Sequence, residues 1–277
     1  MSQPGLCRTC CRVVVLFALF FPVTVSSQSI WTDRHGPTAL RAEILKPNLI
    51  GREHLSFITT TAFFSFRASL SKWLRFTAEL PVATYLYDDS VNTQFDGTQG
   101  NLYLGFEYHL SGYPFFAEIG VRAPLVTKSK PLSTAVGFNS DFDRQDAFVP
   151  DVVSGLAMIN YRTEAKEGFN TRLRAGGIGQ VSTKKKNNRL EKRVYILYSA
   201  QMYYMAVNLT TMAGFMGRVS TSGKMDLDQR FTHQFAVGFD FHLDNVHPGL
   251  LVRIPISKNL SDVIGSVIDL HIDIGLE

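Results

Sequence analysis

The sequence predicts an all-β fold: a closed antiparallel transmembrane β-barrel of about twelve strands. Three observations carry this reading. Apolar residues recur with period two through long segments. No stretch after residue 28 supplies the roughly eighteen consecutive apolar residues that a spanning helix needs. Long and short links between the segments mostly alternate, as they do where one rim is closed by tight turns and the other carries loops.

Composition narrows the class. The 277 residues are 45% hydrophobic and 19% charged, which excludes a disordered chain. Mean hydropathy is +0.02, above that of an ordinary soluble protein and below that of a helical membrane protein. Lys+Arg 28 against Asp+Glu 24 gives +4, too balanced for a dedicated nucleic-acid binder. Phe 21 and Tyr 10 against Trp 2 is a heavy aromatic load.

The first element is an address. Arg8 and Arg12 precede an apolar run from Val13 to Val25, broken by Pro22 and Thr24, and Val25-Ser26-Ser27 offers a cleavage site. Residues 1–27 therefore read as a signal peptide cut before Gln28, and 28–277 as the barrel. Cys7, Cys10 and Cys11 leave with it, so neither a zinc site nor a disulfide is expected in the mature chain.

Strands are expected at 36–46, 53–69, 73–87, 99–110, 114–128, 149–163, 168–180, 192–204, 207–219, 230–243, 249–257 and 263–276. The last is the clearest: Ile268, Leu270, Ile272 and Ile274 share one face, Asp269, His271 and Asp273 the other. Leu104, Phe106 and Tyr108 oppose Tyr103, Gly105 and Glu107 in the same way, and Phe115, Ala117, Ile119 and Val121 oppose Phe116, Glu118, Gly120 and Arg122. Segments of this length suit a tilted strand crossing a bilayer, which takes about 9–11 residues. The apolar face then meets lipid and the polar face the lumen. An unpaired backbone edge in hydrocarbon costs several kcal/mol per group, so 263–276 must pair with an N-terminal strand.

The polar phase names the expected lumen lining: Arg75, Glu79, Glu107, Glu118, Arg122, Arg172, Arg174, Arg218, Arg230, Asp240, His242, Arg253, Asp269, His271 and Asp273. Such groups either line a field for polar solutes or satisfy one another in a sealed barrel. The His271 cluster is no easy chelate, because same-face residues two apart on a strand lie about 7 Å apart. No Gly-x-Ser-x-Gly or His-Glu-x-x-His occurs, so no catalytic residue, metal or cofactor is assigned. Gly176-Gly177-Ile178-Gly179 lacks the Lys-Ser/Thr of a phosphate loop. Lys184, Lys185 and Lys186 sit in an expected outer loop, 181–191, where they would meet lipopolysaccharide phosphates. Tyr85, Tyr87, Tyr103, Tyr108, Tyr113, Tyr195, Tyr198, Tyr203 and Tyr204 fall near strand ends, as an interfacial girdle would. The loop 129–148, with Asp141, Asp143, Arg144 and Asp146, is the expected lid or constriction.

Several short motifs carry a resemblance. Ser71-Lys72-Trp73-Leu74-Arg75-Phe76-Thr77-Ala78-Glu79-Leu80-Pro81, Gly97 and Gly100 before a strand, Gly120-Val121-Arg122-Ala123-Pro124 and Val252-Arg253-Ile254-Pro255 are similar to motifs of Gram-negative outer-membrane barrels. More narrowly, they resemble the transporter family named for the MetA pathway of phenol degradation. The resemblance implies passive uptake of small hydrophobic or aromatic compounds across the bacterial outer membrane. The expected partners are outer-membrane lipid and lipopolysaccharide, the barrel-insertion machinery and a small solute, with no nucleic acid and a monomeric barrel. The rival readings are a membrane-embedded lipid-modifying enzyme, a sealed structural or adhesive barrel and a soluble secreted β-protein.

Overall fold

The computed structural model describes residues 38–51, 55, 58–88, 93–110, 112–163, 167–186, 189–222 and 230–276. The predicted signal peptide lies outside the described residues. Thirteen strand segments follow one another: β1 (Thr38–Leu49), β2 (Thr61–Ser69), β3 (Leu74–Asp88), β4 (Thr93–Gln99), β5 (Leu102–His109), β6 (Phe115–Ala123), β7 (Val152–Arg162), β8 (Gly168–Lys186), β9 (Arg189–Met205), β10 (Leu209–Ser220), β11 (Phe231–Phe241), β12 (Val246–Pro255) and β13 (Ile264–Leu276). Between β6 and β7 lie helix α1 (Pro131–Ser140) and a 3₁₀ turn at Gln145–Phe148, and a one-turn helix α2 (Lys258–Ser261) precedes β13.

Every neighbouring pair is antiparallel, and β13 closes on β1 from Thr38↔Leu276 to Leu49↔Ile264. The thirteen segments make a twelve-stranded barrel, because β4 and β5 are two halves of one strand. β3 pairs with β5 from Leu74 to Glu79 and with β4 from Val82 to Asp88. The break falls at Gly100-Asn101, opposite Pro81. Gly100 donates to the Pro81 carbonyl at 2.7 Å, and a Cβ on Gly100 would stand 2.7 Å from both Pro81 and the Ala147 carbonyl oxygen. Only glycine admits so close an approach.

The sheet is inverted relative to a soluble one. In β13, Ile268, Leu270, Ile272 and Ile274 are exposed while Asp269, His271 and Asp273 are buried. The same sorting holds in β6, where Phe115, Ile119 and Val121 are exposed and Glu118 and Arg122 buried. A face this apolar, running round a closed barrel, requires hydrocarbon around it. At one rim short links join β2 to β3, β5 to β6, β7 to β8, β9 to β10 and β11 to β12. On its outer surface stand Tyr108, Tyr113, Phe169, Tyr204, Val207 and Leu243, all exposed.

Several sequence expectations need correction. Strand 53–69 begins only at Thr61; upstream, the chain leaves β1 and runs along β3, with Thr60 exchanging backbone hydrogen bonds with Thr84. The 181–191 link is mostly strand, since β8 and β9 continue as a ribbon to the Lys186↔Arg189 pair. The interior is not uniformly polar either. Leu156, Met158, Ile178, Leu197, Met212, Met216 and Leu251 form a buried apolar cluster on the β7–β12 side. Period two marks these inner positions without revealing that apolar residues occupy both faces there. Finally, Tyr85, Tyr103 and Tyr203 belong to no girdle: each is buried, on the inward phase of its strand.

Leu270, half exposed at the middle of β13, tests the inversion. Leu270→Arg is expected to lower the unfolding free energy in vesicles by about 2–4 kcal/mol, measured by reversible denaturant titration. A loss near zero would mean that this face does not meet lipid.

Candidate functional site

The site grows from the way β6 ends. Pro124 stops the strand, and the chain turns into the barrel instead of continuing along the wall. Asn101, fully buried at the β4–β5 break, receives the incoming and outgoing chain. Its Oδ1 accepts from the Leu125 and Val126 amides at 2.8 and 3.0 Å, and its Nδ2 donates to the Asp146 and Val149 carbonyls at 2.9 Å each. One side-chain amide thus ties both ends of residues 125–149, with all its principal hydrogen-bonding capacity used.

Within this inward segment, α1 leans on the β1–β4 wall. Ser133 donates to Asp96 from both its amide and hydroxyl, and the Thr61 hydroxyl donates to Ser140 Oγ at 2.9 Å. Gly137 lies flat against the Phe148 ring, with no room for a Cβ. Phe148 in turn meets Phe63 edge-on at 6.1 Å. Backbone groups of an irregular segment are tolerated at this depth because protein surrounds them.

The segment's centre is Arg144, a fully buried guanidinium. Its Nη1 donates to Glu79 at 2.8 Å, its Nη2 to Glu43 at 2.8 Å and Asp141 at 2.6 Å, and its Nε to Asp141 at 2.8 Å. The guanidinium carbon stands 3.5 Å over the Phe63 ring. Around it the wall completes a network. Arg253 reaches Glu43 at 2.8 Å, Asp141 at 2.8 Å and Asp269 at 2.5 Å. Arg122 donates to Glu79 at 2.7 Å and lies 3.4 Å from Asp146. Asp146 also accepts from Ser154. Arg174 joins Glu118 at 2.9 Å to Asp143 at 3.5 Å, and Arg218 donates to the Phe142 carbonyl at 3.1 Å while stacking on Tyr195. Planar, multi-donor guanidiniums suit this bridging between several carboxylates.

The remaining lining residues lie outside this centre. Arg75 is half-buried, 3.9 Å from Glu107, which also pairs with His109 at 2.9 Å. Arg172 approaches Asn160 at 3.4 Å. Arg230 is half-buried at the long-loop rim. His242 pairs with Thr210 at 3.0 Å, and Asp273 with Arg41 at 2.7 Å. His271 turns Nε2 to Asp240 and Nδ1 toward Asp269 at 3.5 Å. A serine–histidine contact does occur elsewhere: Ser257 Oγ lies 3.3 Å from His233 Nδ1, with Tyr198 at 2.7 Å from Nε2. The third position is a phenol, which offers no charge to stabilise an imidazolium.

Of the three lysines, Lys184 is bound to Asp151 at 2.8 Å, as is Lys128. These two ammonium groups hold the Asp151 carboxyl below its ordinary range by hydrogen bonding and charge. Lys185 is exposed and pairs with Leu190 across the ribbon. Sequence reasoning missed Arg41, Glu43 and Asn101 as site residues. Arg41 and Glu43 alternate with Leu40, Ala42 and Ile44, a signal of the same kind used elsewhere, whereas nothing marks Asn101 except the glycine before it.

Two carboxyls of the inward segment are displaced in opposite directions. Burial pushes Asp143 up to about 6, with Arg174 pulling the other way and Asp141 adding to the rise. Burial also opposes ionisation of Asp141, but Arg144 and Arg253 outweigh it and hold that carboxyl below the ordinary range.

No protein-family model and no curated protein sequence matches this chain. Solved structures do. The COG4313 outer membrane channel from Pseudomonas putida F1 aligns with a TM-score of 0.61 at 10% identity, over 90% of this chain and 99% of that one. The translocator domain of the autotransporter NalP from Neisseria meningitidis gives 0.55 at 9% identity, over 96% and 95%. The NanC porin gives 0.51 at 7% identity, over 86% and 100%. At such identities the likeness is one of fold, the outer-membrane barrel.

Asp143 sets a pH dependence. Its raised value means that the packed segment binds a proton more readily than a locally unfolded one, so local packing gains stability as pH falls through about 6 toward the ordinary 3.8 and loses it as pH rises through 6. Hydrogen-exchange protection of residues 141–148, corrected for intrinsic rates, is therefore expected to be higher at pH 5 than at pH 7.5. In Asp143→Asn the difference is expected to vanish; its persistence there would remove Asp143 from the account.

Proposed function

We propose that this chain is a bacterial outer-membrane channel for passive passage of small hydrophobic or aromatic solutes, closed at rest by the inward segment 125–149. The observation that carries the reading is how that segment is held. Its contacts with the wall are dominated by hydrogen bonds and ion pairs around Arg144 and Asn101. Such contacts exchange readily for water when the segment moves, whereas a lumen sealed for structural purposes is served as well by apolar packing. The motifs that resemble the MetA-pathway transporter family also meet here: Glu79, Pro81, Gly100, Arg122 and Arg253 all anchor the segment or the bend that receives it. In this reading the fifteen polar lining residues divide into those that hold the gate and those that line the path on either side. Localisation to the outer membrane follows removal of the leader near Ser27. Of the two lysines of the cluster whose side chains are described, Lys185 is then the one offered to lipopolysaccharide phosphate, because Lys184 is engaged with Asp151.

Planar-bilayer recording tests the proposal. Arg144→Gln strips Glu43, Glu79 and Asp141 of their shared partner; breaking a buried pair from one side costs about 3–5 kcal/mol. The inserted state should lose most of its advantage, and open probability is expected to rise at least tenfold over the parent chain. Heat-modifiable gel migration confirms that the barrel itself is folded. If neither Arg144→Gln nor a folded variant lacking residues 130–147 produces steps at any voltage, the channel reading fails.

A further inference from the structure

α1 has two faces with different neighbours. Ser133, Gly137 and Ser140 turn to the wall and to Phe148, as described above. Leu132, Ala135, Val136 and Asn139, spaced as one helical stripe, border a hollow of about 340 Å³ at the long-loop rim. Its opposite side is fixed wall: Leu49 at the end of β1, Tyr85 on β3 and Val263 before β13. The hollow is thus bounded half by barrel and half by the gate.

Its chemistry is selective. The lining is mostly aliphatic and aromatic, with Asn139 and Asp262 the polar groups on its border. The Asn139 amide nitrogen is committed to the Ala135 carbonyl at 2.9 Å, and Asp262 brings negative charge. An anion is repelled and a strongly polar molecule finds few partners. An uncharged apolar molecule gains by leaving water, at about 25 cal/mol per Å². Size is also restrictive: an apolar cavity of about 150 Å³ takes a single benzene ring, so the hollow suits one or two fused rings.

We infer that this hollow, walled on one side by α1, is a binding site for a single small uncharged apolar or aromatic molecule, and that its occupancy shifts the gate. The inference deepens the channel reading and rests on it only for the second half. A molecule seated here touches the segment that must move as well as the wall that does not. It favours whichever gate position it fits better, and can shift the gate only to that extent.

Methyl NMR on the full chain in micelles, titrated with naphthalene, tests the site. Partition into detergent shifts lipid-facing methyls such as those of Leu270 without saturating. Binding in the hollow is expected to shift the Leu132 and Val136 methyls along a saturating curve. Ala135→Trp fills the hollow without touching the face of α1 against the wall, and should weaken that saturation at least tenfold while leaving other resonances in place. The charged analogue 2-naphthoate should give no saturating shift. Non-saturating curves at Leu132 and Val136, unchanged affinity in Ala135→Trp, or equal binding of 2-naphthoate would each overturn the site. Recording in bilayers separates the two claims. Saturating shifts with no conductance in any variant would sink the channel reading and leave the site standing. Saturating shifts with conductance indifferent to naphthalene would overturn the coupling to the gate.

Discussion

Backbone closure is the constraint from which the rest follows. In hydrocarbon no N–H or C=O can go unpaired, so β13 must find β1, and the ladder from Thr38↔Leu276 to Leu49↔Ile264, with one register shift after Asn48, is the result. Once the sheet is a closed ring, its period-two alternation divides side chains into lipid-facing and enclosed sets. Leu270 and Ile272 then have no alternative to lipid, and Asp269 and His271 none to the interior. The charges inside are a consequence of the oil outside.

Enclosed charges need partners, and the wall alone does not provide them evenly. Glu43 and Glu79 stand on β1 and β3 with Arg122 and Arg253 near them, but a central acceptor set remains that only a further cation can fill. Arg144, brought in by the β6–β7 segment, fills it. Asp141 in turn forms ion pairs with Arg253 and Arg144 together. The interior and the inserted segment therefore complete each other electrostatically. The energy of the arrangement depends on the segment being present, as the proposed gate requires.

Much of this was legible in the sequence. Alternation located eleven of the twelve barrel strands to within several residues, because a one-residue slip would put carboxylates into lipid. The loop 129–148, long and carrying Asp141, Asp143, Arg144 and Asp146, stands out as a lid or constriction by its length. What alternation does not report is the content of the enclosed face. Met212, Met216 and Leu251 lie on inward positions as legitimately as Arg218 does, and Tyr103 and Tyr203 read as interface residues from their place near strand ends, although Tyr103 shares the inward phase of Glu107. Asn101 is the sharpest omission. Its role depends on a strand break at Gly100 and on a loop some twenty-five positions later, and neither is a local signal. The 181–191 ribbon escapes the sequence for a related reason: its lysines suit a loop, yet a strand outside the bilayer carries them at no cost.

The account turns on whether the inserted segment moves to open the lumen. Cysteine in the sequence is confined to positions 7, 10 and 11, in the predicted leader, so a single engineered pair can be read without interference. Thr61 and Ser140, whose hydroxyl oxygens lie 2.9 Å apart, join β2 to the end of α1. With both replaced by cysteine in the Arg144→Gln background, bilayer conductance is expected to vanish on oxidation and return on reduction. Equal conductance in the two redox states, with the cross-link verified by mass, would contradict the claim that this segment is the gate.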